Sequence, residues 1–429
     1  MIGNYLRRVL INNHVNKEDL GVLILFFALP FTRSFINITI AAIILYSVYH
    51  HVKEKKWPAI QFHWFLPLLF FYFLLSVLIS GGSWSLVERR LTLIIIPIIF
   101  ALNLNYFHPK LKNKIYMSFV AGNILATIIC TTRALVRSIY IDNGKIIFDA
   151  KVLKDTDYDF LTSSVMGGNY FFSSEFSYFL DSSYFALYIV FAQVLTFELL
   201  RNSSGKIRNR FLVFCYIFLF IPLFLLSSKA ALISSFVVLI YGLVKIETTF
   251  RNRVVYLLGF CAVILLFFLF NPRLKVFLDT IADTIFVIDP LARYGHSLRI
   301  LSWDASIEII KNNLLIGVGE GNKESKLLEM YLAKGYDEPA REMFNSHNLF
   351  LDFLLGGGII GLGVFLIGLF SLVVRSLRKH DFVLMAFVFV FSFAALFENL
   401  LTRFSGNLFF AIFITLLLGV QSRAEIVNK

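Results

Sequence analysis

The chain has 429 residues, of which 58% are hydrophobic and only 16% are charged, and its net charge is +12. A soluble domain carries about 25% charged residues, so the composition excludes an ordinary soluble protein and indicates a polytopic membrane protein. The positive charge would suit nucleic acid, but no nucleic-acid-binding motif accompanies it. Lysine and arginine also collect in the cytoplasmic loops of membrane proteins, so we expect no nucleic acid as a partner.

Apolar segments of helical length recur along the whole chain and predict about twelve transmembrane helices. Backbone groups inside a bilayer must be hydrogen-bonded within their own segment, which makes helices the default and predicts an all-α fold. The predicted spans are residues 20–32, 35–50, 62–80, 87–104, 114–138, 176–199, 211–227, 230–245, 254–271, 347–374, 382–400 and 405–421.

Basic residues occur in every second short connection, as at Lys53, Arg208 and Arg375, and the positive-inside rule assigns these connections to the cytoplasm. Both termini are then expected in the cytoplasm, and two long connections, one of them residues 139–175, on the opposite side. The chain divides into about nine N-terminal spans, a large outer loop and about three C-terminal spans, which are residues 1–271, 272–346 and 347–429.

The large outer loop contains a helical pattern. Apolar residues recur at three- and four-residue steps and predict an amphipathic helix, at Ile300, Trp303, Ile307 and Ile310. Arg299 and Trp303 are four residues apart and share one side of this helix. We expect the helix to end near Asn312 and Asn313.

A glycine-rich segment, GVGEGN at residues 317–322, predicts a turn or open loop, and residues 323–334 predict a second helix that Gly335 caps. A nucleotide-binding interpretation of the turn is disfavoured, because no strand–loop–helix unit surrounds it. More glycines cluster in the following span and indicate close helix packing, at Gly356, Gly357, Gly358, Gly361 and Gly363.

The sequence predicts neither a metal site nor a cofactor. Cys130, Cys215 and Cys261 lie in apolar runs and indicate small buried side chains, and their spacing is not that of a metal site. Aspartates in the outer connections, such as Asp155 and Asp157, are more typical of a solvated loop than of a cation site.

Charged residues at membrane depth are costly and are therefore candidates for function. Those near the predicted outer side are mostly cations, and they are Arg33, Glu88, Arg89, Arg90, Arg133, Arg137, Lys229, Glu398 and Arg403. Several cations that face one cavity suit an anionic ligand such as a diphosphate. The alternative is that Arg33, Arg133 and Arg137 only anchor helix ends at the membrane interface.

His347 lies at the predicted start of a span, where Ser346 is the expected N-cap. A helix N-terminus disfavours imidazolium, so we expect a neutral ring that can accept a proton from a hydroxyl. Asp352 is five residues further on and faces away, so we expect another carboxylate, Glu398, to orient the ring. The alternative is a polar interfacial histidine without a catalytic role.

Three stretches resemble the O-antigen ligase and polymerase superfamily of bacterial envelope enzymes. RILSWDASIEIIKNNLLIGVGEGN, at residues 299–322, resembles the family's Arg, Trp, Ala and Gly-x-Gly pattern. SHNLFLDFLLGGGIIGL, at residues 346–362, resembles its His-Asn motif with a glycine-containing span. LSSKAALIS, at residues 226–234, resembles its Ser-(Arg)-Ala segment in a central span.

The resemblance implies a multi-span, GT-C-like glycosyltransferase in the bacterial inner membrane, with a large helical periplasmic loop and a metal-independent active site facing the periplasm. Such an enzyme moves a glycan from an undecaprenyl-diphosphate carrier to a hydroxyl of lipid A-core or of a growing polysaccharide. By position, Arg299 would contact the diphosphate and His347 would be the general base.

The charged residues and the resemblance together predict a diphosphate site with supporting residues nearby. The expected diphosphate ligands are Lys229, Arg299, Arg89, Arg90 and Arg403, and the expected supporting residues are Glu398, Asn348 and Trp303. Lys229 stands where the family commonly has arginine, and Asp181 stands where similar sequences often have histidine.

Other functions remain open on the sequence. Nothing separates a ligase from a polymerase, or from an enzyme that glycosylates serine or threonine in proteins, since acceptor choice depends on the shape of the pocket. A lipid-glycan flippase or transporter would also have about twelve spans, but no two halves of the chain look alike and transport does not explain the large outer loop. A non-catalytic partner that binds the lipid carrier is a third alternative.

The topology can be tested by cysteine labelling in whole cells. A cysteine at residue 325, in the large outer loop, should react with a membrane-impermeant maleimide, whereas one at residue 205, in a cytoplasmic connection, should react only after lysis. Equal labelling at both positions before lysis would contradict the topology.

Overall fold

A computed structural model of the chain describes residues 17–55, 63–103, 109–165, 167–203, 205–245, 250–271, 288–292 and 297–427. Residues 272–287 and 293–296 of the predicted outer loop lie outside the described residues. The described chain is mostly helical, which confirms the predominantly helical class expected from the sequence.

The N-terminal part consists of helices joined by short turns. They are α1 (Lys17–Ala28), α2 (Arg33–Glu54), α3 (Phe65–Ser80), α4 (Trp84–Glu88), α5 (Thr92–Leu102) and α6 (Pro109–Ser138). The connection after α6 contains two strands and two short helices, which are β1 (Ile139–Asp142), β2 (Lys145–Phe148), α7 (Phe160–Val165) and α8 (Ser173–Phe176).

The rest of the chain continues the helical arrangement. The central helices are α9 (Ser182–Arg201), α10 (Lys206–Phe218), α11 (Phe220–Leu226), α12 (Lys229–Lys245) and α13 (Phe250–Phe270). The large outer loop contributes α14 (Ser297–Asn312), α15 (Lys323–Lys334) and α16 (Asp337–Arg341). The C-terminal helices are α17 (Leu349–Lys379), α18 (Phe382–Ala395) and α19 (Phe404–Val427).

Several helices have the length and hydropathy of membrane spans. Among the described residues, five segments are long and apolar enough to cross a membrane, and they are Arg33–Glu54, Leu111–Ser138, Ser182–Arg201, Lys206–Leu226 and Leu349–Lys379. Shorter apolar helices accompany them, including α3, α12, α18 and the first part of α19. These helices indicate a membrane protein, and the count of about twelve spans stays a prediction.

A small β-hairpin departs from the expected all-α fold. Its strands pair antiparallel, from Ile139 opposite Phe148 to Asp142 opposite Lys145. The turn is an Asn-Gly pair at residues 143–144, with φ of 49° and 77°. This pair favours a two-residue hairpin turn because both residues tolerate positive φ. The prediction from hydropathy could not detect this turn, so it did not include the hairpin.

α9 is the central helix of the membrane-spanning group. Every residue from Tyr184 to Leu199 is buried, as expected of a helix that is apolar on all sides. The ring of Phe191 packs edge-on against Phe413 of α19 and Phe387 of α18, with centroid distances of 4.6 and 5.3 Å. α9 therefore supports α18, which ends beside the candidate site, and α19, which begins beside it.

α9 and α18 run antiparallel. Near one end, the ring of Phe197 lies 5.5 Å from that of Phe382. Near the other, the Tyr184 hydroxyl donates to the Asn399 carbonyl at 3.0 Å. The start of α9 and the turn at residues 396–403 therefore lie together, and we call this end of the helix group the loop end.

The glycine turn of the outer loop packs into a break in α17. The break lies at Gly358, where φ is +58°. Beside it, the amide of Val318 donates to the Leu355 carbonyl at 2.8 Å, and the amide of Gly319 donates to the Gly356 carbonyl at 2.9 Å. Non-helical backbone at membrane depth is tolerated where such bonds satisfy it inside the protein. The turn is therefore a structural element of the α17 contact.

Glycine is required on both sides of this contact. A Cβ at Gly317 would lie 2.6 Å from backbone atoms of Gly356 and Gly357, so the two chain segments could not approach as they do. Gly357 and Gly361 also face the side chain of Tyr72 in α3. The glycine cluster thus serves close helix packing, as expected, and also receives the loop.

Four charged side chains form a buried network beside the glycine turn. Nη2 of Arg90 lies 2.8 Å from Oε2 of Glu320, and Nζ of Lys323 lies 3.0 Å from the same oxygen. Lys323 also pairs with Asp352 of α17. None of these side chains is more than 8% exposed. The network links the α4–α5 turn, the outer loop and α17.

The outer-loop helices share a small core with the first turns of α17. Leu301 and Ile309 of α14 belong to this core together with Leu327 and Tyr331 of α15 and Leu355 of α17. α14 ends at Asn312, as predicted. α15 spans Lys323–Lys334 with Gly335 as its C-cap at φ +68°, which confirms the second predicted helix.

The buried face of α14 agrees only in part with the predicted one. Ile310 is buried, as predicted, whereas Ile307 is 44% exposed. Leu298, Leu301 and Ile309 also face the core. The observed face also contains Ala305 and two serines, since small residues let α14 pack closely on its neighbours.

The buried network gives a stability test. We expect Glu320→Gln to destabilise the detergent-purified protein by roughly 3–5 kcal/mol, because Arg90 and Lys323 lose their shared anion in a buried place. The exposed pair Lys326–Glu329 supplies a matched control, and Glu329→Gln should cost less than about 1 kcal/mol. Equal melting temperatures for the two variants would contradict a structural role of the network.

Candidate active site at the loop end

His347 lies in a tight backbone turn immediately before α17. Its φ is +44°, a left-handed conformation that is uncommon outside glycine. The side-chain oxygen of Asn345 accepts a hydrogen bond from the His347 amide at 2.8 Å, and Ser346 Oγ donates to the Asn348 carbonyl at 3.0 Å. These bonds hold the turn and fix the direction in which the imidazole leaves the backbone.

Asn348 is the N-cap of α17, so the expectation of Ser346 as the cap was wrong. The Asn348 side-chain oxygen accepts hydrogen bonds from the amides of Phe350 and Leu351 at 2.9 and 3.1 Å. Asn348 has extended backbone, with φ −155°, which lets its short side chain reach these first-turn donors. His347 therefore lies just outside the helix.

The carboxylate of Glu398, in the turn between α18 and α19, faces the His347 ring. Nδ1 of His347 is 3.5 Å from Oε1 of Glu398, and the two side chains are 22% and 17% exposed. The Phe344 ring stands perpendicular to the imidazole at a centroid distance of 5.1 Å. With Nδ1 directed at the carboxylate, Nε2 is left for a ligand.

The neighbours of Glu398 set its charge. Burial raises the pKa of this carboxyl, but the contact with His347 and the charges of His347 and Arg299 outweigh burial, so the pKa lies below the usual glutamate range. The Asn399 amide, which donates to Oε1 at 3.2 Å, acts in the same direction. The carboxylate is therefore ionised at neutral pH, and Arg299 lies within electrostatic range of it.

Arg299 and Trp303 present donors without acceptors. Both side chains are half-buried on the same side of α14, one turn apart. Nε of Arg299 and the indole Nε1 of Trp303 are buried and have no hydrogen-bond partner among the described residues. Buried donors are rarely left without acceptors, so these two atoms point to a ligand or water as the missing partner.

Lys229 lies at the loop end, as the first residue of α12. Ser235 Oγ donates to Oε1 of Gln193 in α9 at 2.7 Å, and Gly242 packs against the ring of Phe197. Both contacts advance in the same direction along the two helices, so α12 runs parallel to α9. The start of α12 and the start of α9 therefore lie at the same end.

Two other predicted diphosphate ligands lie elsewhere. Arg90 is buried in the network with Glu320, which neutralises its charge, and its guanidinium lies 3.9 Å from the centre of the Phe73 ring. Arg89, the next residue, is exposed. Among the described contacts, none joins Arg89 or Arg90 to His347.

Arg403 and Asp181 form an ion pair on the far side of the 396–403 turn. Nη1 of Arg403 is 2.6 Å from Oδ2 of Asp181. Nearby, Nη2 of Arg33 is 3.0 Å from Oε1 of Glu88. These two arginines are therefore each paired directly with a carboxylate.

Two contributors to the site were missed from the sequence. Asn345 holds the His347 amide, and its signal is an Asn two residues before the histidine, a spacing typical of an Asx-turn. Phe344 packs against the imidazole, and no local pattern marks it, because its place is decided by the fold of the outer loop.

Residues 214–366 match the family model Wzy_C, described as O-antigen ligase. This match confirms the resemblance to the O-antigen ligase and polymerase superfamily. The matched segment contains Lys229, Arg299, Trp303, His347 and Asn348, whereas Glu398 lies beyond it. No curated protein matches the chain.

The lowered pKa of Glu398 gives a pH test. Its stabilising contribution is present above the pKa of an unfolded glutamate and is lost as the pH falls through the lower folded value. We therefore expect wild-type protein to be more thermally stable than Glu398→Gln at neutral pH, and the gap to close as the pH is lowered below the usual glutamate range. Glu329→Gln, which alters an exposed ion pair, should have nearly the thermal stability of the wild-type protein at every pH. A gap that widens in acid would contradict the assignment.

Proposed function

We propose that this protein is an inverting glycosyltransferase that moves a glycan from an undecaprenyl-diphosphate carrier to an acceptor hydroxyl on the periplasmic side of the bacterial inner membrane. The acceptor is lipid A-core for a ligase or a growing polysaccharide for a polymerase. The single observation that carries the proposal is the approach of His347 to Glu398, with Arg299 within electrostatic range of that carboxylate. His347 and Arg299 both lie inside the O-antigen ligase match.

His347 acts as the general base. The Glu398 carboxylate lies 3.5 Å from Nδ1 and favours the tautomer that carries its proton on Nδ1, which leaves Nε2 unprotonated for the acceptor. Nε2 takes the proton of the acceptor hydroxyl while the oxygen of that hydroxyl attacks the anomeric carbon. The same carboxylate stabilises the imidazolium that forms. A base placed in this way contributes about 10²–10⁴-fold to a rate.

Arg299, Trp303 and Lys229 receive the leaving diphosphate. The bond between the anomeric carbon and the diphosphate oxygen breaks as the new glycosidic bond forms, and negative charge grows on the departing phosphate. The unpartnered donors of Arg299 and Trp303 are available for it, and Lys229 adds a cation at the same end. Direct displacement inverts the configuration at the sugar carbon.

The position of the site suits a lipid-linked donor. His347 lies immediately before α17, a helix that is long and apolar enough to span a membrane. A lipid carrier lying in the membrane would present its diphosphate at this level. Arg90 and Arg403 are engaged by Glu320 and Asp181, which favours Arg299, whose Nε has no hydrogen-bond partner among the described residues, as a diphosphate ligand.

Substitutions at His347 and Arg299 test the proposal in a deletion strain. We expect His347→Ala and Arg299→Ala each to lower glycan transfer by at least about 10²-fold, while the protein remains inserted and folded. Asparagine tolerates the left-handed backbone, so His347→Asn removes the base without adding backbone strain. The readout is the ladder of surface polysaccharide on a gel.

Matched controls are available within the chain. His380→Asn, at another left-handed position, and Arg341→Ala, at an exposed loop pair, should leave the ladder unchanged. A near-normal ladder in both His347→Ala and Arg299→Ala would overturn the catalytic assignment. In the deletion strain, loss of all polymer from lipid A-core indicates a ligase, and a single repeat unit on the core indicates a polymerase.

A further inference from the structure

A cleft of about 340 Å³ opens at the loop end, beside the candidate active site. The start of α2, the approach to α9 and the start of α19 form its walls. The lining residues that matter here are Arg33, Tyr178, Asp181, Arg403, Phe404 and Ser405. Aromatic walls with a few fixed polar groups are typical of small-ligand sites.

Each arginine that lines the cleft forms an ion pair with a carboxylate. Arg403 pairs with Asp181 at 2.6 Å, and Arg33 pairs with Glu88 at 3.0 Å. The Arg33 guanidinium also lies 4.8 Å from the centre of the Phe404 ring. Each pair offers donors and acceptors side by side. A sugar hydroxyl uses both, whereas a diphosphate can use only the donors.

The Asp181 side chain does not cap α9. It occupies the N-cap position of α9, where an aspartate side chain normally accepts from first-turn amides, but it makes no such bond. Its carboxylate instead points to Arg403 across the cleft. The pair therefore spans the cleft from α9 to the turn before α19.

The cleft is close to His347. Glu398, which faces His347, and Arg403, which lines the cleft, are five residues apart in one turn, so their Cα atoms are at most about 18 Å apart. The turn is folded, since Leu400 and Thr402 donate back to the carbonyls of Glu398 and Asn399. The distance between the cleft and the base is therefore within the length of a short oligosaccharide.

We propose that this cleft is a glycan subsite that binds the hydroxyls of the acceptor saccharide through Asp181 and Arg403, with Tyr178 and Phe404 as apolar walls. The subsite rests on the proposed transferase function. It separates two tasks at the loop end: the unpartnered donors of Arg299 and Trp303 take the diphosphate, and the charge-balanced cleft takes the sugar.

Protection from a thiol reagent tests the subsite without requiring transfer. Cys261 is exposed and is first replaced by serine. Ser405→Cys then reports on the cleft, and Ser325→Cys, on exposed α15, serves as the control. The labelling rate by a maleimide is measured on the full-length protein in nanodiscs. The probes are core and repeat-unit oligosaccharides released by mild acid from the host's own envelope polysaccharide, and undecaprenyl diphosphate.

We expect an oligosaccharide fraction to slow labelling at position 405 but not at 325, and undecaprenyl diphosphate alone to slow neither. Whichever fraction protects identifies the acceptor as core or growing polymer. Asp181→Asn should raise the protecting concentration about tenfold, or about 1.4 kcal/mol. Glu338→Gln, which breaks the equally short exposed pair with Arg341, should leave that concentration unchanged.

Two results would overturn the subsite: protection by undecaprenyl diphosphate but not by the oligosaccharides, or no protection by any probe. If Asp181→Asn leaves the protecting concentration unchanged, the ion pair has no part in saccharide binding. Failure of the proposed function is distinguishable, since it would appear as absent transfer by wild-type protein that still shows protection. His347→Ala should lose transfer and keep protection.

Discussion

The buried network of Arg90, Glu320, Lys323 and Asp352 is the constraint on which the geometry of the loop end depends. Two cations and two anions balance in a place where an unpaired ion would cost several kcal/mol. They come from the α4–α5 turn, the glycine turn, the start of α15 and the first turn of α17. Since breaking any of these pairs would leave a buried charge unpaired, the network favours the observed docking of the outer loop against the helices.

This docking determines where the candidate catalytic side chains lie. Asp352 is in the first turn of α17, so the network fixes the level at which that helix begins and therefore the place of His347 before it. Arg299 lies on α14, which shares a small core with Leu355 of α17. Glu398 comes from a third segment, the turn supported by α9. The imidazole, carboxylate and guanidinium are thus preorganised by packing outside the site itself.

Charge balance divides the loop end into two regions. Around Glu398, the donors of Arg299 and Trp303 lack acceptors, which suits an incoming anion. Across the 396–403 turn, Asp181 and Arg403 satisfy one another and leave a neutral, polar cleft. A reaction between a diphosphate-linked sugar and a hydroxyl needs both environments next to each other, because the two substrates differ in charge although both carry sugar rings.

The sequence by itself determined the helical membrane class, the end of α14 and the whole of α15, because these follow from hydropathy, local periodicity and a glycine cap. It also supplied the candidate residues His347 and Arg299 through their motifs. Only the tertiary structure decided which other charges meet: Arg90 and Glu320 pair although 230 residues separate them, and Arg403 pairs with Asp181. Such pairing depends on which helices become neighbours, and no local pattern encodes that.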